Sequence, residues 1–452
     1  MKRGETRKIA IEALSPDGGG SAVVDGREVL VKGALPGDTV EVRVLSVKRH
    51  TARVRLESVI EAGVGRIEPR CSHFDICGGC RWQDVPYDVQ CSLKAGIIEA
   101  ALAKAPGIGA EYGAVDIEPS PDIFFYRNKM EFTIDGPPRL EGRVLIGLHE
   151  AGKFDRVFDL DRCLLQSETS NSIVAWTRDF VREHGLSAYG LKSHEGLLRF
   201  LAVREGKTTG DTMVNLVTSG EPFPHAREFA EGLAADIPGV TTVLRSVNRS
   251  KASVATGGEK DILQGGGAIR ETIGGRAFSV SPDSFFQTNS RQTVNLYSCI
   301  RDFCGLDGTQ SLLDLYCGAG TIGIFLAEGA RSVTGVELVE NAVEDARRNA
   351  ALNGATNCDF IAGKVEDVID GSMGDFDVVV CDPPRAGIHP TAMNHLLRLR
   401  IPRLVYVSCN AGALPGDLEM LAMAGYRLKA ARAFDMSPHT PHVETVAALE
   451  IG

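Results

Sequence analysis

Apolar and polar positions alternate strictly along residues 5 to 60, in R-K-I-A-I-E-A-L, S-A-V-V-D, R-E-V-L-V, D-T-V-E-V-R-V-L-S-V and T-A-R-V-R-L-E-S-V. Gly, Pro and Asp turn signals separate these runs, so residues 1–60 are expected to form a small β-barrel of short strands. From residue 61 to 280 the pattern is mixed. Strand-like L-R-F-L-A-V-R and T-M-V-N-L-V-T, helix-like A-R-E-F-A-E-G-L-A-A, and glycine turns at Gly257–Gly258 and Gly265–Gly267 imply an α+β central domain. Over 281–452 strand and helix patterns alternate: S-L-L-D-L-Y, I-G-I-F-L-A, S-V-T-G-V-E, N-A-V-E-D-A-R-R-N-A, F-D-V-V-V-C-D. Such alternation predicts a doubly wound, Rossmann-like α/β domain. Part of 92–124 is expected to pack with it.

Length agrees with three domains, since 452 residues exceed what one core usually supports. The 43% hydrophobic content provides real cores. No apolar run reaches the roughly 20 residues of a membrane span, and M-K-R-G-E-T-R-K lacks a signal peptide's apolar stretch, so a soluble cytoplasmic protein with no membrane association is expected. A net charge of -10 argues against indiscriminate coating of nucleic acid. Residues 1–60, however, hold 11 Lys or Arg against 8 Asp or Glu, and Lys48, Arg49, Arg53 and Arg55 give them an edge suited to phosphates.

Chemistry concentrates near the C-terminus. In D-L-Y-C-G-A-G-T-I-G, Asp314 to Gly323, Gly318 and Gly320 permit a tight strand-to-helix turn, and Glu337 closes the next strand, where a carboxylate can accept hydrogen bonds from ribose hydroxyls. The turn lacks the Lys-Ser or Lys-Thr of a Walker loop and does not match G-x-G-x-x-G. D-P-P-R-A-G puts Asp382 at the carboxyl end of a buried strand, S-C-N puts Cys409 at the end of the next, and H-V-E-T-V brings Glu444 into a final strand. A thiol beside a cofactor turn suits methylation of an unreactive carbon, which needs a covalent catalyst. Cys317 and Cys381 fit packing positions better, and His389, His439 and His442 are read as structural or loop-orienting.

A second group is C-x5-C-G-G-C, formed by Cys71, Cys77 and Cys80, with Cys163 supplied from D-L-D-R-C-L-L. Four thiolates could close a zinc site or hold a four-cysteine iron-sulfur cluster, and spacing does not choose between them. The odd total of eleven cysteines speaks against a disulfide framework. Cys91, in helix-like D-V-Q-C-S-L-K, is read as a packing residue.

The turn pattern resembles class I S-adenosylmethionine-dependent methyltransferases. With F-F-Q-T-N (Phe285 to Asn289), D-P-P-R-A-G, S-C-N and H-V-E-T-V, nearly the whole chain resembles the RNA uracil-C5 methyltransferase family. G-G-G-S-A and A-L-P-G-D-T-V make the barrel similar to the TRAM domain, an RNA-binding module. The resemblance implies a 5-methyluridine-forming enzyme in which Cys409 adds to carbon 6 of a flipped uracil and Glu444 removes the proton from carbon 5. It matches Tyr316 and Glu337 to cofactor contacts, and Gln287 and Asp382 to the pocket for cofactor and base. Thr321 stands where some members carry Asn. C-S-H-F-D-I-C-G-G-C-R-W-Q resembles the family's iron-sulfur branch, which places a 4Fe-4S cluster on Cys71, Cys77, Cys80 and Cys163 in preference to zinc. That branch points to 23S ribosomal RNA first and transfer RNA second, with the enzyme acting as a monomer. Rival readings are methylation of an exocyclic base nitrogen, a noncatalytic RNA-binding protein of this fold, and a radical enzyme, whose C-x3-C-x2-C motif is absent.

Overall fold

The computed structural model describes residues 1–109, 113–136, 144–369 and 373–451. The N-terminal alternation closes a six-stranded sheet in the order Thr6–Ala10, Thr39–Val47, Thr51–Glu61, Arg27–Val31, Gly20–Val24, Ala13–Leu14. Along Thr39–Val47, Val40, Val42 and Val44 are buried while Glu41 and Arg43 are exposed, the period-two signature of a half-buried strand. Val29, Val31 and Ile9 complete this small core. The fold class expected from the pattern, a small barrel followed by mixed and α/β units, is the one observed.

A second, seven-stranded sheet runs in the order Val157–Asp159, Leu145–His149, Lys129–Asp135, Leu198–Glu205, Thr212–Thr218, Val240–Val247, Glu259–Gln264. Its one parallel pair, Thr212–Thr218 with Val240–Val247, is bridged by the helix Ala226–Asp236, as a parallel connection requires. That helix and Glu168–Glu183 bring Phe229, Leu233, Ile173 and Phe180 onto Phe132, Val203 and Val214.

The third sheet positions the chemistry. Its order is Cys358–Ala362, Ser332–Glu337, Ser311–Leu315, Val378–Cys381, Arg403–Ser408, Glu444–Ile451, Tyr426–Phe434, Asp116–Glu118. The first five strands are mutually parallel, and Glu444–Ile451 runs antiparallel to both its neighbours. Leu313, Val379, Leu404 and Tyr406 point to one face, under the helices Tyr87–Leu102, Pro390–Leu399 and Leu414–Met423. Leu312, Val378, Val405 and Val407 point to the other, under Ser290–Cys304, Glu340–Leu352 and the hairpin Ile269–Ile273/Arg276–Val280. Cover on both faces explains why these strands read as continuous apolar runs. The chain thus enters this core well upstream of residue 281, through the hairpin, the helix Tyr87–Leu102 and the edge strand Asp116–Glu118, which pairs in parallel with Tyr426–Phe434.

The strand order reverses between Ser311–Leu315 and Val378–Cys381. An open parallel sheet binds ligands in the crevice outside the carboxyl ends of its strands at such a point. Among the described residues no helix is long and apolar enough to cross a membrane.

Candidate active site

The turn leaving Ser311–Leu315 is held by its own backbone chemistry. Tyr316, Gly318 and Gly320 all take positive φ, at 63°, 54° and 75°. Asp314, buried at the strand end, accepts from the Gly323 N–H at 2.9 Å, which closes the turn onto the helix Thr321–Leu326; burial pushes the Asp314 carboxyl up to about 7. A side chain at Gly320 would strike the Phe360 ring at 2.8 Å and Ala346 at 2.9 Å, so glycine is required there for conformation and packing. At Gly318 a Cβ would meet nothing within 4 Å.

Glu337 leaves Ser332–Glu337 and faces this turn. Its carboxylate accepts from Gly318 N–H at 3.1 Å and Val339 N–H at 2.9 Å. Thr321 Oγ1 and the Tyr297 hydroxyl share a hydrogen bond of 2.7 Å, while the buried Tyr316 hydroxyl faces the backbone of His389.

Three neighbouring strands bring together further candidate residues expected from the sequence. Asp382 follows Val378–Cys381, Cys409 follows Arg403–Ser408, and Glu444 opens Glu444–Ile451. The register that pairs Ser408 with Thr445 sets Cys409 beside Glu444. Asn410 fixes the cysteine turn, donating to the Arg385 carbonyl at 2.7 Å and accepting from Gly412 N–H at 3.0 Å.

These groups share one cavity of about 580 Å³. Gln287, Tyr316, Gly318, Thr321, Glu337, Asp382, Cys409 and Glu444 all line it. Gly320 does not; it shapes the turn from behind.

Electrostatics in the cavity favour protonated acids. Burial pushes Asp382 up to about 7, and burial together with the Asp382 charge pushes Glu444 up to about 8. Burial, then Glu444 and Asp382, push the Cys409 thiol up to about 11. Opposing them is Arg385, whose guanidinium favours the anions of both Cys409 and Glu444. Arg385 also lies 3.4 Å from His442 Nδ1, and burial with this cation lowers His442 to about 4, leaving a neutral ring able to accept. Sequence reasoning quoted Arg385 within D-P-P-R-A-G without giving it a role. The signal available was its distance of three residues from Asp382, on the turn that leaves a strand's carboxyl end.

A further cavity of about 990 Å³ is lined by Cys71, Cys77, Cys80 and Cys163 together. The Gly79 N–H points at Cys77 Sγ from 3.3 Å. Burial raises the thiols, Cys80 to about 12 and Cys163 to about 11, with the neighbouring sulfurs adding to the effect. Cys91 and Cys381 are buried elsewhere, in a packed helix and a packed strand, whereas Cys317, also buried, lines the cavity of about 580 Å³. Phe285, 66% exposed, borders both cavities and was likewise missed as a site residue.

Residues 270–451 match the family model described as tRNA (uracil-5-)-methyltransferase, and residues 1–56 match that of the TRAM domain. A protein of Clostridium tetani described as an uncharacterized RNA methyltransferase is 38% identical, the alignment covering 99% of this chain and 98% of the other. Another so described, from Halalkalibacterium halodurans, is 36% identical over 100% and 98%. Among solved structures, the Pyrococcus abyssi tRNA (uracil-54, C5)-methyltransferase in complex with S-adenosyl-L-homocysteine superposes with a TM-score of 0.79 at 33% identity, covering 98% of this chain and 100% of that one.

Proposed function

The chain belongs to the RNA (uracil-5-)-methyltransferase family and carries its TRAM domain, and from that premise we propose that it makes 5-methyluridine in structured RNA through a cysteine adduct. The observation that carries the reading is the meeting of Cys409 and Glu444 in the wall of the cavity entered by the cofactor turn.

The residues present fit S-adenosylmethionine. Gly318 leaves open space where any side chain would intrude, Glu337 presents a carboxylate for ribose hydroxyls, and Tyr316 lies in the same wall. When bound, this cofactor supplies an electrophilic methyl group and a sulfonium charge that favours the anions of Asp382, Glu444 and Cys409.

Cys409 would donate its thiolate pair to carbon 6 of the uracil, and the electrons displaced onto carbon 5 would form the new bond to the methyl carbon as that carbon's bond to the cofactor sulfur breaks, the bonding pair leaving with S-adenosylhomocysteine. Glu444 then takes the proton from carbon 5, the 5,6 double bond reforms and Cys409 leaves as thiolate. Arg385 favours the charged forms of the thiol and the base against the burial that opposes them. Gln287 and Asp382 orient the base, and Thr321 and Tyr316 orient the cofactor. Access to both ring carbons requires the uridine to be flipped out of its stack, and the exposed ring of Phe285 offers a surface for a neighbouring base.

Cys71, Cys77, Cys80 and Cys163 fit a 4Fe-4S cluster. Supporting this, all four cysteines line one cavity, and an N–H donor faces a sulfur, the kind of contact that stabilises cluster thiolates. A four-thiolate cluster leaves no iron open to substrate, so its contribution here is to order the loop 71–80. The resemblance to the iron-sulfur branch favours 23S ribosomal RNA in the cytoplasm. A second reading, transfer RNA, is supported by the Pyrococcus abyssi neighbour, which acts on uracil 54 of tRNA.

Anaerobically purified protein, incubated with labelled S-adenosylmethionine and unmodified ribosomal or transfer RNA, tests both. Label in 5-methyluridine, lost in Cys409→Ala, supports the reaction, and the labelled RNA identifies the substrate. Iron and sulfide content tests the cluster. Transfer to an exocyclic nitrogen, or full activity in Cys409→Ala, would overturn the adduct.

A further inference from the structure

The barrel touches the catalytic loops directly. Its turn 15–19, between Ala13–Leu14 and Gly20–Val24, is stiffened from within. Ser15 N–H donates to Gly19 O at 2.8 Å, Gly18 N–H to Ser15 O at 2.8 Å, and the Ser15 hydroxyl donates to the Asp17 carboxylate and to Gly19 O.

The tip is Gly18, at φ 75°. A Cβ on Gly18 would lie 2.0 Å from Pro441 Cβ and 3.1 Å from the Trp82 ring, so backbone and proline are already in contact. Pro16, two residues back, faces the other loop, 3.7 Å from where a Cβ of Gly412 would stand. Between these contacts, Asp17 is held as a carboxylate by the Ser15 hydroxyl and further by the Arg81 charge. Pro441 lies three residues before Glu444, and Gly412 three residues after Cys409.

The far side of the base loop is equally fixed. His439, itself in the left-handed region at φ 66°, accepts from Arg81 N–H at 2.8 Å and Trp82 N–H at 3.0 Å. Its own N–H donates to the buried Gln90 at 2.9 Å. The buried Lys94 ammonium donates to Asp435 at 2.5 Å and to Ser437 O at 3.1 Å.

We propose that the turn 15–19 is a positioning wedge, with Gly18 and Pro16 holding the loops of Glu444 and Cys409 at the separation the reaction needs. The proposal rests on the roles assigned above to those two residues. The barrel thereby acts in the chemical step as well as in holding RNA. Addition at one ring carbon and proton removal at its neighbour tolerate little displacement, since a misplacement of about 1 Å can cost on the order of a hundredfold in rate. A rigid inward turn controls that spacing better than either loop could by itself.

The test compares three variants of the full-length, cofactor-replete chain. Gly18→Ala drives a methyl group into Pro441. Gly26→Ala imposes similar backbone strain on the same barrel, at φ 70°, where a Cβ meets nothing within 4 Å. Pro16→Gly removes the ring that stands beside the cysteine loop without adding bulk. Gly18→Ala and Pro16→Gly are expected to lower the single-turnover methylation rate at least tenfold while leaving the RNA Kd within about twofold, and Gly26→Ala to keep the wild-type rate. Cys409 alkylation by iodoacetamide, read without RNA, should change rate in the first two alone. Wild-type rates in Gly18→Ala and Pro16→Gly, or an equal loss in Gly26→Ala, would overturn the wedge. A wild-type enzyme that makes no 5-methyluridine would instead overturn the reading of the site, and the alkylation rates would still decide whether the wedge controls the Cys409 loop.

Discussion

Cys409 and Glu444 meet because two antiparallel strands fall into register at Ser408 and Thr445, and the carboxyl they bring together is, after burial, the main cause that holds the thiol up near 11. The Cys409 thiol and the Glu444 carboxyl therefore oppose each other's ionisation, against the Arg385 guanidinium that favours both anions.

Glu444→Gln removes that opposing charge along with the base. Cys409 should alkylate several-fold faster at pH 8 in the free variant, and with RNA and cofactor the methylated adduct should accumulate as a species stable on a denaturing gel. Unchanged alkylation together with normal product release would show that Glu444 is neither neighbour nor base.

Arg385→Gln acts in the opposite direction. Without the guanidinium both Cys409 and Glu444 rise further, so the alkaline limb of thiol alkylation should move to higher pH and methyl transfer at pH 7.5 should fall on the order of tenfold or more. A parallel drop in activity with an unmoved alkylation profile would confine Arg385 to holding substrate.

The base needs Glu444 ionised, so the single-turnover rate of the wild type should climb with pH through the interval around 7 to 9. In Asp382→Asn one like charge is gone, Glu444 ionises more readily, and this limb should shift to lower pH even though the maximum rate falls. A limb that stays in place would remove Asp382 from the electrostatics of the base.

Stability should follow the same groups. Asp314, Asp382 and Glu444 bind protons more tightly folded than unfolded, so their contribution is fully present below the ordinary carboxylate range and is lost as pH rises through the folded values of about 7 to 8. The Tm of the ligand-free protein should therefore decline from pH 5 to pH 9. Asp314→Asn, which keeps an acceptor for the Gly323 N–H, should flatten the decline by on the order of a few kcal/mol. An identical pH profile for variant and wild type would place the burden elsewhere.

Lys94 and Asp435 are both fully buried as an ion pair, linking the helix Tyr87–Leu102 to the start of the base loop. Lys94→Met alone should cost about 3–5 kcal/mol in urea unfolding, because it strands a buried charge, whereas Lys94→Met with Asp435→Leu should recover much of that loss. Equal instability in single and double variants would contradict the pairing.

Asp382, Cys409 and Glu337 were readable in the sequence as candidate site residues because each sits where a strand stops, and Glu444 because a strand begins there. The runs before Asp382 and Cys409 are continuously apolar, and a strand's end is a local property of the chain. Gly320 was legible as a turn residue, yet its indirect role depends on Phe360 and Ala346, which only packing brings near. Arg385 was passed over for a similar reason: its importance lies in facing two anions from other strands. The sequence points part of 92–124 toward the C-terminal domain, but that Asp116–Glu118 joins the third sheet as an edge strand was beyond reach, since three residues carry no period and their partner strand lies in another part of the sequence.

That short edge strand sets the order in which the molecule can be completed. Asp116–Glu118 leaves the ribosome about three hundred residues before Tyr426–Phe434, the segment it pairs with. Throughout that stretch of synthesis its backbone, and the apolar side of Tyr87–Leu102, must wait without their final cover. The strand Glu444–Ile451 closes the sheet from within, between Arg403–Ser408 and Tyr426–Phe434, so a nascent chain halted short of it would hold a finished barrel beside an unfinished enzyme, a natural substrate for chaperones and proteases.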